Sequence, residues 1–393
     1  MNRGISILVL ISAILSDSLR AEVPTKIRVG ILSKFSPNQI RILAKRSRVI
    51  SGTETIFRGD SDSLIRGEGD RLSFIRENSR RKSDQILFSG GEYDIFLPGS
   101  ESPRKYAGDL EIRSKEGILK FILTVPRESY VDIAFISEFG ELMATKVASG
   151  AAKNWKREFE ISGRASVRSY ALANLGRHSK EGHDVCDLTH CLQFSGLPKR
   201  NANEPTSAPN LIILDGKNKP LETFFHASCG GHLSSPKVLW RKFGENFKFF
   251  RSGPDRWKGE EILCRNSPHF EWETFIEKED MENILKAKRI SSLSPISEEG
   301  RVAQIVYSDS EGKHTANIAE FLSSVGKRLG WNKTKSNDFT IESGTNGYHF
   351  KGRGFGHGIG LCQYGAREMA FRGATYNEIL NFYFPGVRIE VLP

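Results

Sequence analysis

A glycine-dense segment near the end of the chain carries side chains that can do polar chemistry. Five of the nine residues 352–360 are glycine, His357 lies among them, and Cys362 and Gln363 follow shortly after. Glycine loses the most backbone entropy on folding, so this density indicates a backbone that another group approaches closely. The imidazole and the amide could hydrogen-bond a ligand there, although glycine runs also make ordinary tight turns.

A second group of reactive side chains lies in residues 183–191. It contains the two imidazoles and two thiols of His183, Cys186, His190 and Cys191, the ligand set of a closed tetrahedral zinc site. Because His190 and Cys191 are adjacent, Cys229 or another residue could replace either of them. A zinc ion with four protein ligands would be structural, since no position is left for an activated water. A disulfide between Cys186 and Cys191 is the alternative that the spacing leaves open.

The cysteine count adds a constraint. Five cysteines cannot all pair within one chain, so at least one thiol is free, a metal ligand or bonded to another molecule. Cys229 follows Ser228, and His226 or His357 could act as its base in a nucleophilic mechanism. No carboxylate is assigned to orient that base, so packing or a share in the metal or disulfide group is the simpler role for Cys229.

The helices that must position these groups are predicted from apolar periodicity. Residues 361–371 are predicted as a helix, and a second helix starts at Thr375, where Thr375 and Glu378 have capping-box spacing. An amphipathic helix is predicted before Gly330, with apolar residues at positions 318, 321, 322, 325 and 329. Residues 158–176 also have helical periodicity.

Strands are predicted in three regions. Residues 211–214 and 221–227 are predicted to form a hairpin around Asp215-Gly216 that presents the Ser228 turn. Residues 118–136 are predicted as strands that lead into a helix or turn. Residues 22–115 carry short apolar segments, typical of a strand-rich N-terminal domain or extension. Mixed helices and largely antiparallel strands indicate the α+β class.

Several stretches together resemble one known family. Residues 352–387 look like the C-terminal signature of the stage II sporulation protein D family, which includes the LytB-type amidase enhancers. Residues 167–172, 184–191 and 225–231 resemble the same family, in the family's order. The resemblance covers residues 120–393, so we expect residues 116–393 to form the family's domain. It implies an α+β fold around a glycan-binding groove and an exported protein that acts on peptidoglycan.

The resemblance also implies a reaction. A lytic transglycosylase cleaves the MurNAc–GlcNAc backbone and leaves 1,6-anhydroMurNAc ends. One acid protonates the bridging oxygen and then, as carboxylate, accepts the proton of the sugar's own C6 hydroxyl, provided that desolvation raises its pKa. The alternative is a non-catalytic protein that binds glycan and stimulates a separate cell-wall amidase, like the LytB-type members.

The catalytic acid is carried over by spacing. In the family it is a glutamate eight residues after a tyrosine in a Tyr-Val segment, and here Tyr130-Val131 leads to Glu138. Apolar neighbours of Glu138 would favour its protonated form. Counting back from Trp155 instead reaches Gly150, consistent with an insertion. Glu141 is therefore the alternative acid, and a member of the family that has lost activity is the other alternative.

Substrate contacts are predicted on the resembling stretches. Arg168 and Tyr170 match the family's Ala-Arg-Thr-Tyr segment, where a guanidinium fork could hold an oxygen and a phenol ring could stack on a sugar. His357 and Gln363 are the preferred polar contacts to the glycan. Ser228 and Gly230 complete the predicted set, with packing as the alternative role. The only cofactor expected is the structural zinc ion.

Location and partners are predicted from the N-terminus and the charge. The apolar run of residues 5–15 is too short to span a bilayer, so residues 1–21 are predicted to be a signal peptide, with retention as a membrane anchor as the lesser alternative. We therefore expect a secreted or periplasmic protein. The net charge of +10 favours anionic wall polymers as partners, and the export signal disfavours nucleic acid.

Overall fold

The fold of the chain is α+β, as predicted, with mostly antiparallel sheets. The computed structural model describes residues 23–144, 150–197, 208–240, 244–259 and 261–392. The predicted signal peptide lies outside these described residues. Within them, no helix has both the length and the apolar character that crossing a lipid bilayer requires.

The chain divides into two compact units, each assembled from separated segments. The first unit comprises Met1–Glu141, Val167–Leu211 and Val391–Pro393, and the second comprises Leu142–Ser166 and Ile212–Glu390. Helices α1 (Arg127–Ala144) and α2 (Trp155–Ala173) therefore contribute residues to both units. The predicted division into residues 22–115 and 116–393 stays a prediction.

The first unit is built on an 11-stranded sheet. Its strands are β1 Lys26–Ile31, β2 Gln39–Ser51, β3 Glu54–Glu68, β4 Arg71–Arg76, β5 Ser79–Ser83, β6 Gln85–Ser89, β7 Glu92–Phe96, β8 Arg104–Ala107, β9 Asp109–Lys115, β10 Ile118–Pro126 and β11 Val185–Cys186. The main path runs β11-β1-β10-β9-β6-β2-β3-β4-β5, and β7 pairs with β2 and β8. The two-residue strand β11 pairs in parallel with β1, whereas β1 and β10 are antiparallel.

Period-two burial explains why these residues form strands. Along β2, Ile40, Ile42 and Ala44 are buried, while Arg41 between them is exposed. In β9, the alternate residues Leu110 and Ile112 are fully buried. Because successive side chains of a strand point to opposite faces, this alternation gives the sheet one apolar face and one polar face.

The segment that carries Glu138 is helical. Strand β10 ends at Pro126 and α1 begins at Arg127, so the prediction of strand for residues 127–136 is wrong. The apolar run there fits a strand and a buried helix equally well by period. Helix α1 buries Val131, Phe135 and Phe139, each four residues from the next, which a helix places on one side.

The second unit holds smaller sheets and, besides its parts of α1 and α2, five helices among its described residues. Its strands are β12 Leu211–Leu214, β13 Phe225–His226, β14 His232–Leu233, β15 Gly253–Pro254, β16 Glu271–Glu277, β17 Ser292–Glu298, β18 Arg301–Asp309, β19 Gly312–Asn317, β20 Phe339–Ser343, β21 Gly347–Arg353, β22 Leu361–Cys362 and β23 Arg388–Val391. Its helices are α3 Pro236–Leu239, α4 Lys278–Leu285, α5 Ile318–Leu329, α6 Gln363–Phe371 and α7 Tyr376–Tyr383. The sheets are β16-β21-β20, β17-β18-β19 and the pairs β12-β23, β13-β22 and β14-β15.

The predicted helices of this unit are confirmed. Helix α5 spans Ile318–Leu329, and α7 starts with a capping box in which the side chains of Thr375 and Glu378 bond each other's backbone. Helix α6 begins two residues later than predicted, at Gln363. The residues just before it, Leu361–Cys362, instead pair in parallel with Phe225–His226.

The hairpin predicted around residue 215 forms only at its turn. The backbone N–H of Asp215 donates to the carbonyl of Lys219 at 2.8 Å, and Leu221 N–H donates to Ile213 at 2.9 Å. The predicted strand partner is wrong, because β12 pairs with β23. Pairings across such sequence distances are set by tertiary packing, which local propensity does not encode.

Candidate functional site

Glu138 lies in the second half of α1 in a half-buried position. Its Oε1 accepts a hydrogen bond from the backbone N–H of Gln193 at 2.7 Å. The rings of Phe135 and Phe139 stack with centroids 5.2 Å apart on the same helix. Burial raises the pKa of Glu138, and the hydrogen bond from Gln193 opposes part of the rise. This carboxyl therefore keeps its proton to a higher pH than an exposed glutamate does, as a general acid must.

The two candidate acids differ in exposure. Glu141 is exposed, one helical turn after Glu138. Tyr130, the tyrosine that defines the spacing to Glu138, is fully buried and its ring stacks on Phe194 at 5.3 Å. Burial raises the pKa of Tyr130 far above its usual value. Glu138 is the more buried of the two candidates, and partial removal from water is what raises the pKa of a carboxyl that acts as an acid catalyst.

Arg168 makes its hydrogen bonds with residues of the first unit. Its side chain is 2% exposed, and its Nε lies 3.1 Å from Oε2 of Glu128, which also accepts from Nη2. Nη1 donates to the carbonyl of Leu211 at 2.8 Å, and Nη2 donates to Oδ1 of Asn210 at 3.3 Å. This geometry fits a residue that positions the chain around Leu211. The predicted contact of Arg168 with substrate stays a prediction.

Tyr170 supports a loop of the same unit. Its hydroxyl donates to the carbonyl oxygen of His190 at 3.1 Å and accepts from Nη1 of Arg177 at 2.9 Å. Nη1 of Arg177 also donates to the His190 carbonyl, at 2.8 Å. The ring of Tyr170 is buried, and its predicted stacking on a sugar stays a prediction. In the structure, Tyr170 lies next to His190, in the segment that carries several thiols and imidazoles.

Four side chains of the first unit form what we call the His-Cys cluster: His178, Cys186, His190 and Cys191. Their ligand atoms all lie within 4.8 Å of one another. His190 Nε2 is 3.3 Å from the Cys186 sulfur and 3.2 Å from Nε2 of His178, which lies 3.5 Å from the Cys191 sulfur. The hydrogen bond from Cys186 lowers the pKa of Cys191 to about 5. This hydrogen bond favours the thiolate of Cys191, the form of cysteine that binds metal.

The dimensions of the His-Cys cluster fit zinc. Tetrahedral zinc has bonds of about 2.0–2.3 Å, which separate its ligand atoms by about 3.3–3.8 Å. The observed separations of 3.2–3.5 Å come close to that spacing before any ion draws the ligands together. All five cysteines of the chain are free thiols, so a Cys186–Cys191 disulfide is not formed.

The histidine of this cluster is not the one expected. His183 lies outside the group of four, and its buried ring stacks on that of His178 at 5.0 Å. The ring fills the space beside Gly30, where an added Cβ would come within 2.5 Å of His183 Nε2. His178 therefore occupies the position that the sequence had suggested for His183. Although His190 and Cys191 are adjacent, the ligand atoms of both belong to the His-Cys cluster. Tyr170 and Arg177 hydrogen-bond the His190 carbonyl and hold the backbone at this position.

In the second unit, other residues of the same chain pack closely against the glycine-dense segment. Gly358 has φ 72°, and a Cβ there would lie 2.4 Å from the guanidinium carbon of Arg301. At Gly360, also at φ 72°, a Cβ would lie 2.2 Å from the carbonyl oxygen of Phe224. These positions exclude larger residues because both the backbone angle and the space require glycine.

His357 is half-buried within this segment. Its Nδ1 accepts the backbone N–H of Ile359 at 3.0 Å. Burial lowers the pKa of His357 to about 4, the charge of Arg301 acts in the same direction, and a hydrogen bond with the Phe225 backbone opposes both. The ring of His226 lies edge-on with its centroid 5.3 Å away. At neutral pH, His357 would therefore meet a ligand as an uncharged imidazole.

The other predicted contact residues of this unit are also built into its core. Ser228 is fully buried, and its backbone exchanges hydrogen bonds of 3.1 and 2.7 Å with Phe355. Gly230 has φ 67° and packs against the backbone carbon of Arg353. Gln363 is the first residue of α6 and is buried. The structure thus brings these residues to the glycine-dense segment, and their contact with glycan stays a prediction.

Comparison with known proteins adds to this geometry. No protein-family model matches the chain. It is 26% identical over 246 residues to an uncharacterized protein of Brachyspira hyodysenteriae, covering 60% of this chain and 62% of that protein. It is 27% identical over 180 residues to stage II sporulation protein D of Bacillus subtilis, covering 45% and 48%. The resemblance to the stage II sporulation protein D family is therefore confirmed.

A shorter match links the chain to a second protein of that family. The amidase enhancer of Bacillus subtilis is 46% identical over 55 residues, which cover 14% of this chain and 8% of the enhancer. The chain thus spans less than two thirds of the length of each of these relatives.

The resemblance to stage II sporulation protein D leaves some site residues unnoticed. His178 lies eight residues before Cys186, outside the compact segment of thiols and imidazoles, and no local pattern distinguishes it. Asp255, Arg301 and Tyr383 were missed as well, although all three are buried polar residues in the second unit. Buried charge is informative because it demands a partner, but sequence alone does not reveal burial.

Proposed function

We propose that this chain is an exported cell-envelope protein that cleaves the glycan backbone of peptidoglycan as a lytic transglycosylase. The observation that carries the proposal is Glu138, a half-buried carboxyl whose pKa is raised by its surroundings. Its spacing from buried Tyr130 matches the acid of the resembled family. The relationship to stage II sporulation protein D supports a role at the cell wall.

Glu138 would act first as an acid and then as a base. Its proton passes to the oxygen between MurNAc and the following sugar as the bond from that oxygen to C1 breaks. The carboxylate then takes the proton of the C6 hydroxyl of the same MurNAc, whose oxygen bonds to C1. Glu138 ends protonated, and no water is consumed, so the products together have the mass of the substrate.

The remaining predicted residues would serve binding. A glycan-binding groove, with His357, Gln363, Ser228 and Gly230 contacting the strand, belongs to this proposal. The net charge of +10 would draw the protein to anionic wall polymers in a salt-dependent manner. Zinc in the His-Cys cluster would be structural, since its four protein ligands complete a tetrahedral shell.

Digestion of purified peptidoglycan tests the catalytic role. Wild-type protein should release fragments with 1,6-anhydroMurNAc ends, which mass spectrometry separates from hydrolysis products by the mass of one water. Glu138→Gln should lower the rate by about 100-fold or more, because an amide cannot supply the proton. Glu141→Gln, which alters an exposed carboxylate on the same helix, should retain activity. Equal release by wild type and Glu138→Gln would exclude Glu138 as the acid.

The match to the amidase enhancer favours a second candidate function. In that case the protein would bind glycan and stimulate a separate cell-wall amidase without cleaving glycan itself. Sedimentation with walls, an inert glycan digest and a faster amidase reaction in mixtures would together establish this role. If the digest yields anhydro ends in the absence of amidase, the protein is an enzyme in its own right.

A further inference from the structure

A second convergence of metal-ligating side chains lies entirely within the second unit. Its members are Cys229, Asp255, Cys264 and Cys362, which we call the Cys-Asp cluster, and their ligand atoms all lie within 4.8 Å of one another. They come from four separate places: the turn after β13, the residue after β15, a 3₁₀ turn at Leu263–Asn266, and β22. All four side chains are at most 1% exposed.

The distances in this cluster come close to those between the ligands of one zinc ion. The Cys229 sulfur lies 3.4 Å from the Cys264 sulfur and 3.0 Å from Oδ2 of Asp255. Three sulfurs and one oxygen around a zinc ion would lie about 3.3–3.8 Å apart. A full set of four protein ligands with no exposed side is the arrangement of a structural site.

The groups around the cluster match the needs of thiolate ligands. The Cys362 sulfur accepts backbone N–H groups from Cys229 at 3.3 Å and from Gly365 at 3.4 Å, at the start of α6. Backbone donors and a helix N-terminus both stabilise a thiolate. On the other side, the Tyr383 hydroxyl donates to Oδ1 of Asp255 at 3.0 Å. Such a bond orients a ligating carboxylate, which leaves Oδ2 to face the sulfurs.

The hydrogen bond between Tyr383 and Asp255 requires a glycine at position 365. An added Cβ at this position would come within 2.2 Å of the Tyr383 hydroxyl oxygen and 2.8 Å of Oδ2 of Asp255. The glycine within helix α6, where glycine costs about 1 kcal/mol relative to alanine, therefore has a specific reason. It gives Tyr383 and Asp255 the space in which they meet.

A buried positive charge next to the cluster calls for negative charge. Arg301 is 1% exposed, and it donates to the carbonyls of Cys229 and His232 and to Oδ1 of Asn337, all neutral acceptors. Burial lowers the pKa of Arg301, and the charges of Asp338 and then of the three cysteines oppose this. Zinc with three thiolates and one carboxylate has a net charge of −2, which would offset the cost of burying this guanidinium.

We propose that the Cys-Asp cluster is a closed site for one zinc ion, separate from the His-Cys cluster and coordinated by three thiolates and a carboxylate. This site ties the Cys229 turn, against which Gly354 of the glycine-dense segment packs, to the start of α6. Together the two clusters use two cysteines and three cysteines, which accounts for the odd total of five with no thiol left over. Zinc binding releases the thiol protons and contributes directly to folding of the unit.

Zinc content of the full chain tests the proposal without any activity assay. The protein is purified under reducing conditions from zinc-supplemented cells, and zinc per chain is measured by mass spectrometry of the elements. Cys186→Ser should leave one zinc ion per chain, held by the second unit. Adding Cys264→Ser to that variant should remove it, and Asp255→Asn, which preserves shape, should weaken zinc binding at least tenfold in competition with a chelator.

Cobalt substitution separates loss of a ligand from loss of folding. In the Cys186→Ser protein, Co²⁺ added to the metal-free chain should give tetrahedral absorption with the intensity of three thiolate bonds. A Cys186→Ser protein that is folded by circular dichroism yet binds neither Zn²⁺ nor Co²⁺ would overturn the proposal. So would a mass lower by two hydrogens in freshly purified, unreduced Cys186→Ser protein, because in a variant that lacks Cys186 this mass identifies a disulfide that involves the Cys-Asp cluster. Neither result depends on whether Glu138 is catalytic.

Discussion

The carboxylate of Glu138 is held by the backbone of Gln193, two residues after Cys191. The N–H of Gln193 donates to Oε1 of Glu138 at 2.7 Å, while the Cys191 sulfur lies 3.5 Å from Nε2 of His178. A residue with candidate acid chemistry thus accepts a hydrogen bond from the segment that carries Cys191 of the His-Cys cluster. The cluster can influence Glu138 by fixing where Gln193 presents its donor, without touching the carboxyl itself.

We expect loss of metal from the His-Cys cluster to impair glycan cleavage. Cys191→Ser, or removal of zinc with a chelator, frees the loop and lets Gln193 move away from Glu138. The expected loss in release of anhydro ends is about tenfold or more, the usual effect of disturbing a supporting shell. The chelator should have no further effect on Glu138→Gln, which is already inactive. Full activity in protein shown to hold no zinc would contradict this coupling.

Glu138→Gln should also change the pH dependence of stability. The folded pKa of Glu138 is raised above its unfolded value of about 4.3, so the stability from its protonated form is complete below about pH 4 and is lost as pH rises through the folded pKa. Glutamine avoids that loss and still accepts the Gln193 N–H. Thermal melts should therefore show that the free energy of unfolding of the variant rises relative to wild type as pH rises to 7. The expected difference is about 1.4 kcal/mol for each pH unit by which folding raises the pKa of Glu138. Parallel curves from pH 4 to 7 would show that Glu138 is solvated.

Much of the helical structure near the candidate site follows from local pattern. The capping box of Thr375 and Glu378 and the apolar stripe of α5 are local signals, and both helices form where they predict. The sequence predicts strand for the first part of α1 because its short apolar run fits a strand and a buried helix equally well by period. The signal that would have corrected it is its length, since 18 residues exceed an ordinary strand.

The ligand clusters could be predicted only in part, because they depend on long-range packing. The sequence places Cys186, His190 and Cys191 together, and spacing alone brings these three close. Which histidine completes the group depends on Gly30, more than 140 residues away, which leaves the space that His183 fills. Asp255 joins three distant cysteines only through the tertiary fold, and no local pattern marks it.

Arg168→Lys should reduce stability more than it reduces glycan binding. Lysine keeps the charge near Glu128 but loses the planar fork that reaches Leu211 and Asn210 at the same time. We expect the free energy of unfolding to fall by about 2–3 kcal/mol in urea titrations, because these are buried bonds from a charged donor. Arg157→Lys, an exposed partner of Glu158, should change it by less than about 1 kcal/mol. Weaker wall sedimentation at unchanged stability would instead make Arg168 a substrate ligand.

His357 should make the protein less stable in mild acid. Its folded pKa of about 4 lies below the unfolded value of about 6.5, so only the unfolded chain takes up a proton as pH falls between these values. The contribution is at most about 3 kcal/mol at pH 4, because each pKa unit corresponds to about 1.4 kcal/mol. His357→Asn can retain an acceptor for the Ile359 N–H and should flatten the slope of stability against pH.

Part of the slope will remain in that variant, because burial also lowers the pKa of neighbouring His226 far below its ordinary value. Urea titrations from pH 4 to 7 should compare wild type with His357→Asn and His226→Asn. The differences give the part of the slope of stability against pH that each histidine contributes. If His357→Asn leaves the slope unchanged while His226→Asn flattens it, His357 has the same pKa in the folded and unfolded chain and is charged in the folded protein below about pH 6.5. A cationic His357 could then attract an anionic group of the wall polymer, a role that the neutral imidazole cannot perform.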